Sequence, residues 1–296
     1  MMEKIKLLTD SASDIPQEIA DKEGVTVLSI PITIEGKGYY ERVDFTNEQF
    51  YDILARCQSI PTTSHIPHLQ FVEEYKKAAD EGYDHLICVT INSKGSSMFQ
   101  AASAAVGMFA EEYPEQAARL QVHVVDSLCY TYSYGLAVVQ AARLARDGKS
   151  CAEVLSFLEE YFARVETYFS VFSLDFAKKS GRISCAAAFV GDVLGLRPIF
   201  SIIDGEMKIV EKVRGDKNVV PHLTSLIQSR RSPGTPFFSI RAARDDVGEE
   251  MQRRAEEAFG EKALEMAYAG ASITINAGPS LVGIMVLGED RRKKKA

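Results

Sequence analysis

Asp84-His85-Leu86-Ile87-Cys88-Val89-Thr90-Ile91, running into Asn92-Ser93-Lys94-Gly95-Ser96-Ser97 and then Met98, decides the fold. A short apolar run rich in β-branched residues predicts a buried strand. The polar, glycine-containing stretch after it predicts a loop. An Ala-rich helix should follow from about Met98 to Tyr113, stopped by Pro114. Strand, polar loop and helix recur on either side. Upstream, Lys4 to Thr9 reads as a strand that closes on Asp10-Ser11-Ala12-Ser13-Asp14-Ile15-Pro16 and opens a helix at Pro16. Val25 to Ile34 reads as a second strand, with a turn at 35–38. Downstream, Gln121 to Val125 reads as a strand ending in Asp126-Ser127. Helices over Tyr134 to Arg146 and Cys151 to Val165 come next, the second announced by a capping box of Ser150 and Glu153. Such alternation predicts a parallel sheet covered on both faces. Ligands of such sheets bind beyond the carboxyl ends of the strands. Those ends carry Asp10-Ser11, residues 93–97 and Asp126-Ser127, which together look like one site.

A second hydroxylated stretch answers the first. Pro61-Thr62-Thr63-Ser64-His65-Ile66-Pro67 holds three consecutive hydroxyls and no formal charge. Before it, Thr46 and Gln49 form a capping box, Phe45 can staple onto Phe50, and Phe50, Ile53, Leu54 and Cys57 recur at helical spacing. After it, Leu69, Val72, Tyr75 and Ala79 repeat the pattern, with Pro67 in the first turn. The hydroxyls therefore precede a helix N-terminus, where free N–H groups and the dipole favour an anion. Taken alone, the stretch reads better as caps and turn formers.

From about Tyr168 the pattern changes. Phe169 to Leu174 reads as a strand, Asp175 to Arg182 as a basic turn or short helix, and Ala186 to Leu194 as an apolar helix closed by Gly195. Pro198 to Ile203, Asp204-Gly205 and Met207 to Val213 form a hairpin, because Asp-Gly is a preferred two-residue turn. A strand at Phe237 to Ala242, a helix at Asp246 to Phe259 capped by Gly260, and a final pair of strands split by Asn276-Ala277-Gly278-Pro279-Ser280 complete the chain. The expected fold is α/β with two domains and the ligand cleft between them. An N-terminal parallel-sheet domain spans 1–165, a helix-poor, mixed-sheet α/β domain 166–288, and a basic, solvated tail 289–296.

At 296 residues and a net charge of −7, the chain can bury a full core and does not suit a general nucleic-acid binder. No apolar run reaches spanning length and no signal peptide is evident. The expectation is a cytoplasmic protein, without stable membrane insertion, whose basic end allows transient membrane contact. Cys57, Cys88, Cys129, Cys151 and Cys185 are widely spaced, odd in number and never in C-x-x-C pairs. That predicts reduced, mostly buried thiols with neither a disulfide framework nor a zinc site.

Walker A, G-x-S-x-G and G-x-G-x-x-G sequences are all missing. His65 and His68 form an H-x-x-H without an evident third ligand, so a site-lining role is expected of them. Ser96 and Ser97 lack an evident histidine base, and little supports hydrolase chemistry. Binding is better supplied. Thr62, Thr63, Ser64, Ser96 and Ser97 are neutral donors for a carboxylate or phosphate, and Asn276 lies beside Gly278, whose backbone can approach a ligand closely.

Taken together, these stretches resemble the DegV family of bacterial fatty-acid-binding proteins over about residues 3 to 288. Asp10 to Pro16 resembles the family's D-S-x-x-D-[IL]. Thr63-Ser64-His65-Ile66-Pro67 resembles T-S-Q-P-S, Ser96-Ser97-Met98-Phe99-Gln100 S-G-T-Y-Q, and Val125-Asp126-Ser127 V-D-S. Leu174 to Ile183 resembles L-x-x-L-x-K-G-G-R-I, Leu196-Arg197-Pro198-Ile199 [IL]-K-P-I, and Asn276 to Ser280 H-T-G-P-G. Each motif is weak alone; their order and spacing make the likeness specific.

The resemblance implies two α/β domains holding a long-chain fatty acid (palmitate-, stearate- or oleate-like) and no other cofactor. Its carboxylate would rest on Thr63 and Ser96, with Ser64, Ser97, His65, Asn276 and Gly278 around it, and its chain in the second domain. A fatty acid kinase is the implied partner, phosphorylating the bound carboxylate to an acyl phosphate for phospholipid metabolism, so the chain itself is not the catalyst. Lys178, Lys179, Arg182 and Arg197 are candidates for phosphate or kinase contact. The chain departs from the pattern at Asn276, where the family has histidine, at Ser96-Ser97-Met98 and at His65. The competing expectation is an enzyme acting on a small carboxylated or phosphorylated metabolite in the same cleft.

Overall fold

A computed structural model describes residues 3–187, 189 and 195–294. In chain order the first half forms β1 (Ile5–Asp10), α1 (Gln17–Glu23), β2 (Thr26–Leu28), β3 (Pro31–Ile34), β4 (Lys37–Tyr40), α2 (Asn47–Arg56), β5 (Thr62–Thr63), α3 (His68–Asp80), β6 (His85–Thr90), α4 (Met98–Glu112), α5 (Pro114–Ala117), β7 (Gln121–Asp126), α6 (Tyr132–Arg146) and α7 (Cys151–Phe162). The second half forms β8 (Val165–Ser170), α8 (Asp175–Ser180), α9 (Ser184–Ala187), β9 (Leu196–Ile203), β10 (Glu206–Arg214), α10 (Val219–Gln228), β11 (Phe237–Arg241), α11 (Asp245–Phe259), β12 (Ala267–Tyr268), α12 (Ala271–Ala277) and β13 (Val282–Leu287).

The expected parallel sheet has the order β2-β1-β6-β7 and every neighbouring pair runs parallel. Leu86 to Val89 are buried, as a strand covered on both faces requires. The helices follow their caps. Thr46–Gln49 and Ser150–Glu153 both close capping boxes, and the Phe45 and Phe50 rings meet at 5.1 Å. The second sheet has the order β10-β9-β8-β13-β11-β12, antiparallel except for β11 with β12, so it is mixed. Asp204 (φ 51°) and Gly205 (φ 72°) both take the left-handed conformation that a tight hairpin needs.

Several expectations are corrected. The single strand at 25–34 is two strands in different sheets. Ile30 donates its N–H to Ser11 Oγ (3.0 Å), and Pro31, without an N–H, opens β3. That strand joins a small antiparallel sheet, β4-β3-β5, in which Thr63 lies opposite Ile32 and Thr62 opposite Thr33. The 61–67 stretch is thus partly strand. Leu69 is exposed, and α3 buries Phe71, Val72, Tyr75, Ala78 and Ala79 instead. The strand expected at 169–174 is β8, which begins at Val165.

The second half is not helix-poor, since α10 was not anticipated; Pro221 falls within its first turn, where proline is tolerated. The first of the final strands is the helix α12. Asp14 Oδ1 accepts the N–H of Gly270 (3.0 Å), and Glu41 Oε1 that of Ser272 (2.7 Å), so acids from the first half cap a β-branched segment. The basic end is packed as well. Arg291 donates to Phe162 O (3.0 Å), Val165 O (3.3 Å) and Asp204 Oδ1 (2.8 Å). The apolar helix expected over 186–194 lies, at 188 and 190–194, outside the described residues.

Candidate functional site

A cavity of about 560 Å³ opens beyond the carboxyl ends of β6 and β7 and reaches the second sheet. One end is polar. β5 brings Thr63 and the residues after it, Ser64 and His65, while the loop from β6 to α4 brings residues 93–97. Ser96 Oγ accepts the Met98 N–H (3.3 Å), which fixes the oxygen and leaves its O–H to point elsewhere. The other end is largely apolar. Phe169 of β8, Ile202 of β9, Met207 of β10, Ile240 of β11, Ile273 and Ala277 of α12, with Ile183 and Leu281, supply it. Phe169 is held by stacking on Phe200 at 4.8 Å.

The charged groups of the lining are few. Lys94 is turned away toward Glu206 Oε1 (3.0 Å) and Asp204 O (3.3 Å). Arg182 is exposed, donates Nη1 to Ser180 O (2.9 Å), and meets no carboxylate among the described residues. Asn276 spends one amide hydrogen on Ser272 O, one turn back along α12 (2.7 Å). Among the described lining residues there is no Asp or Glu. An anion entering the polar end would meet neutral hydroxyl donors, the His65 and Asn276 side chains, and no opposing carboxylate.

The cavity therefore unites Thr63, Ser64, His65, Ser96, Ser97, Asn276 and Arg182. Four other candidates lie outside its lining. Gly278 (φ 96°) ends α12 and packs on Phe176. Lys178 and Lys179 occupy the exposed last turn of α8. Arg197 donates Nε to Asp216 Oδ1 at 2.7 Å. Two of the three strand ends also play another part. Asp126 Oδ1 accepts from Ser93 N (3.1 Å) and Leu128 N (3.0 Å), which shapes the loops around the cavity without facing it. Asp10 and Ser11 belong to a buried network behind the site, where Ser11 Oγ donates to Glu41 Oε2 (2.5 Å) and the Tyr134 hydroxyl to Asp10 Oδ1 (2.7 Å).

Sequence reasoning missed Tyr130 and Thr131, which line the cavity from the loop after β7. Thr131 has φ 58°, a strained position for a β-branched residue and one that no sequence pattern announces. The Tyr130 hydroxyl lies so close to Gly95 that a methyl group there would collide with it. Thr167, a third omission, shares a 2.8 Å hydrogen bond with Ser133 Oγ.

The family model described as the DegV family of uncharacterised proteins matches residues 4–289. A DegV domain-containing protein of Caldanaerobacter subterraneus is 31% identical over 288 residues, covering 96% of this chain and 98% of its own. Among solved structures, a DegV family protein of Thermus thermophilus, described as binding fatty acid, superposes with a TM-score of 0.83 at 26% identity, covering 97% of this chain and 100% of its own. A fatty-acid-binding DegV family protein of Streptococcus agalactiae gives a TM-score of 0.86 at 25% identity, over 97% of this chain and 99% of its own. With a match that runs through both sheets and every loop of the cavity, the chain belongs to the DegV family.

Proposed function

We propose that this protein binds one long-chain fatty acid, carboxylate at the hydroxylated end of the cavity and acyl chain among its apolar walls. The observation that carries the reading is one cavity that joins hydroxyl donors, Thr63 and Ser96, to apolar side chains of the second sheet, Phe169, Ile202 and Ile240. Burying an acyl chain stabilises by about 0.8 kcal/mol per methylene, so some fourteen methylenes give on the order of 10 kcal/mol before binding costs. A carboxylate leaving water costs several kcal/mol unless hydrogen-bonded, and charge-assisted hydroxyl donors offset that. The head group then sets register and the tail supplies affinity. The fatty-acid binding of the Thermus thermophilus and Streptococcus agalactiae relatives supports the same assignment.

In this reading residues 1–165 hold the head group, residues 166–288 enclose the chain, and 289–296 close the C-terminal end in the cytoplasm. The bound carboxylate is presented to a separate fatty acid kinase. Arg182 at the cavity and Lys178 and Lys179 nearby in sequence form the basic surface for the phosphate or the kinase, with Arg197 and Gly278 in supporting positions. In this reading the chain holds the fatty acid and the kinase supplies the chemistry. Purified protein loaded with fatty acid should yield acyl phosphate with such a kinase and ATP, and Lys178→Ala/Lys179→Ala/Arg182→Ala should slow that turnover while leaving fatty-acid affinity within about twofold. Acyl phosphate formation at full rate by the triple variant would remove the basic surface from the account.

A further inference from the structure

At the other end of the parallel sheet, three side chains distant in sequence converge. His85 opens β6, His123 lies on β7, and Cys151 is the first residue of α7. Their nitrogen and sulfur atoms all lie within 4.8 Å of one another. Nδ1 of His85 and Nε2 of His123 are 3.3 Å apart. We propose that these three residues bind a soft divalent cation of the zinc class, with Glu3 orienting His85.

The spacing fits the chemistry. Two imidazole nitrogens bound tetrahedrally at about 2.0–2.1 Å from a cation are separated by about 3.3 Å. With Nδ1 of His85 on the cation, its Nε2–H lies 3.8 Å from Glu3 Oε2, close enough for a small side-chain rotation to make the carboxylate–histidine bond that orients metal-bound imidazoles. The same Glu3 oxygen accepts the Cys151 N–H at 2.6 Å, so one carboxylate ties the histidine to the cysteine. Cys151, buried as the first residue of α7, is held in one place by that helix. Two strands and a helix carry the ligands, which makes the arrangement rigid, and both histidines are only part-buried, which leaves an entry path and a fourth coordination position. A cysteine ligates as its thiolate, so the cation must displace the Cys151 proton on binding, and binding should tighten as pH rises.

Cobalt(II) titration of chelator-treated, full-length protein tests this. The expected result is one cobalt per chain, with tetrahedral visible bands and a thiolate-to-cobalt charge-transfer band, all displaced by zinc. Cys151→Ser should abolish the charge-transfer band, and His123→Ala should weaken cobalt binding at least about tenfold. Glu3→Gln should keep the band and lose roughly 10- to 100-fold in affinity, as an orienting partner would. Cys57→Ser, with its thiol elsewhere, should change nothing. Metal-free melting curves establish that each variant is folded. Absence of the bands in the parent protein, or full binding retained by folded His123→Ala and Cys151→Ser, would overturn the proposal.

Discussion

Asp10 is the residue on which pH should act most visibly. It is 1% exposed and accepts from Tyr134 Oη (2.7 Å), Ile91 N (2.9 Å) and Ala12 N (3.2 Å), yet burial outweighs these bonds and lifts its carboxyl to about 6. A raised folded-state value means that the stability it contributes is full below its unfolded value of 3.8 and is lost as pH rises through about 6. Burial raises Asp14 and Glu41 in the same direction. The carboxyls held low by partners, Asp246 and Asp290 at about 2, lose their contribution only in stronger acid. His123, held below its ordinary value by burial and His85, acts in the opposite sense over this range, but three raised carboxyls outweigh one histidine. The protein should therefore be more stable at pH 5 than at pH 7 by roughly 1–3 kcal/mol, since each tenfold change in proton affinity is worth about 1.36 kcal/mol. Urea unfolding at the two values checks this, and Asp10→Asn should reduce the difference while leaving the share of Asp14 and Glu41; equal or lower stability at pH 5 contradicts it. At the cavity, Thr63→Ala and Ser96→Ala should each weaken fatty-acid binding by roughly 1–3 kcal/mol, the range for a hydrogen bond to a charged group. Titration calorimetry reads that directly, and unchanged affinity in both variants would sink the head-group site. These hydroxyls were legible as donors because residue type is a local fact, although Thr63 proves to lie in β5 and not at a helix start. Tyr130 and Thr131 were not, since a strained backbone after β7 aims them.

Elements divide along the same line. The Asp204-Gly205 turn and the Thr46–Gln49 and Ser150–Glu153 capping boxes form from neighbours in sequence, and each is where the sequence predicts it. Gly205→Ala tests the turn. The added methyl would face a left-handed φ of 72° and sit 3.1 Å from both Asn92 Oδ1 and Leu128 Cδ2. It should cost about 1–2 kcal/mol, seen as an earlier urea midpoint at constant slope. An unshifted midpoint would show that the turn relaxes freely. Segment 271–277, by contrast, holds three consecutive β-branched residues, Ile273, Thr274 and Ile275, and reads locally as strand, yet folds as α12. Its first N–H groups are taken by Asp14 and Glu41 across the molecule, and no local pattern encodes that. The break between β2 and β3 has the same origin, a hydroxyl of Ser11 claiming the N–H of Ile30. The cluster of His85, His123 and Cys151 was invisible for a related reason, because parallel pairing of β6 with β7 creates it.

At the scale of the whole molecule, three sheets contribute to one cavity that joins hydroxyl donors to apolar walls. A ligand that fills it binds the folded chain and not the unfolded one, so it must stabilise. Delipidated protein should melt lower than loaded protein, and free fatty acid at about 100 times its Kd should restore roughly 2.7 kcal/mol. Calorimetric scans with and without oleate check this; identical melting would show that oleate does not bind the folded chain. The division into parallel and mixed sheets was legible because strand–helix alternation and hairpin turns are sequence-local, whereas the size of the cavity depends on packing between distant parts. The central claim is that this cavity holds one fatty acid. Native mass measurement of protein purified without delipidation, paired with mass spectrometry of its organic extract, tests that most directly. The account predicts one fatty acid per chain, lost with the hydroxyls in Thr63→Ala/Ser96→Ala. An empty protein that also ignores added fatty acids would contradict it.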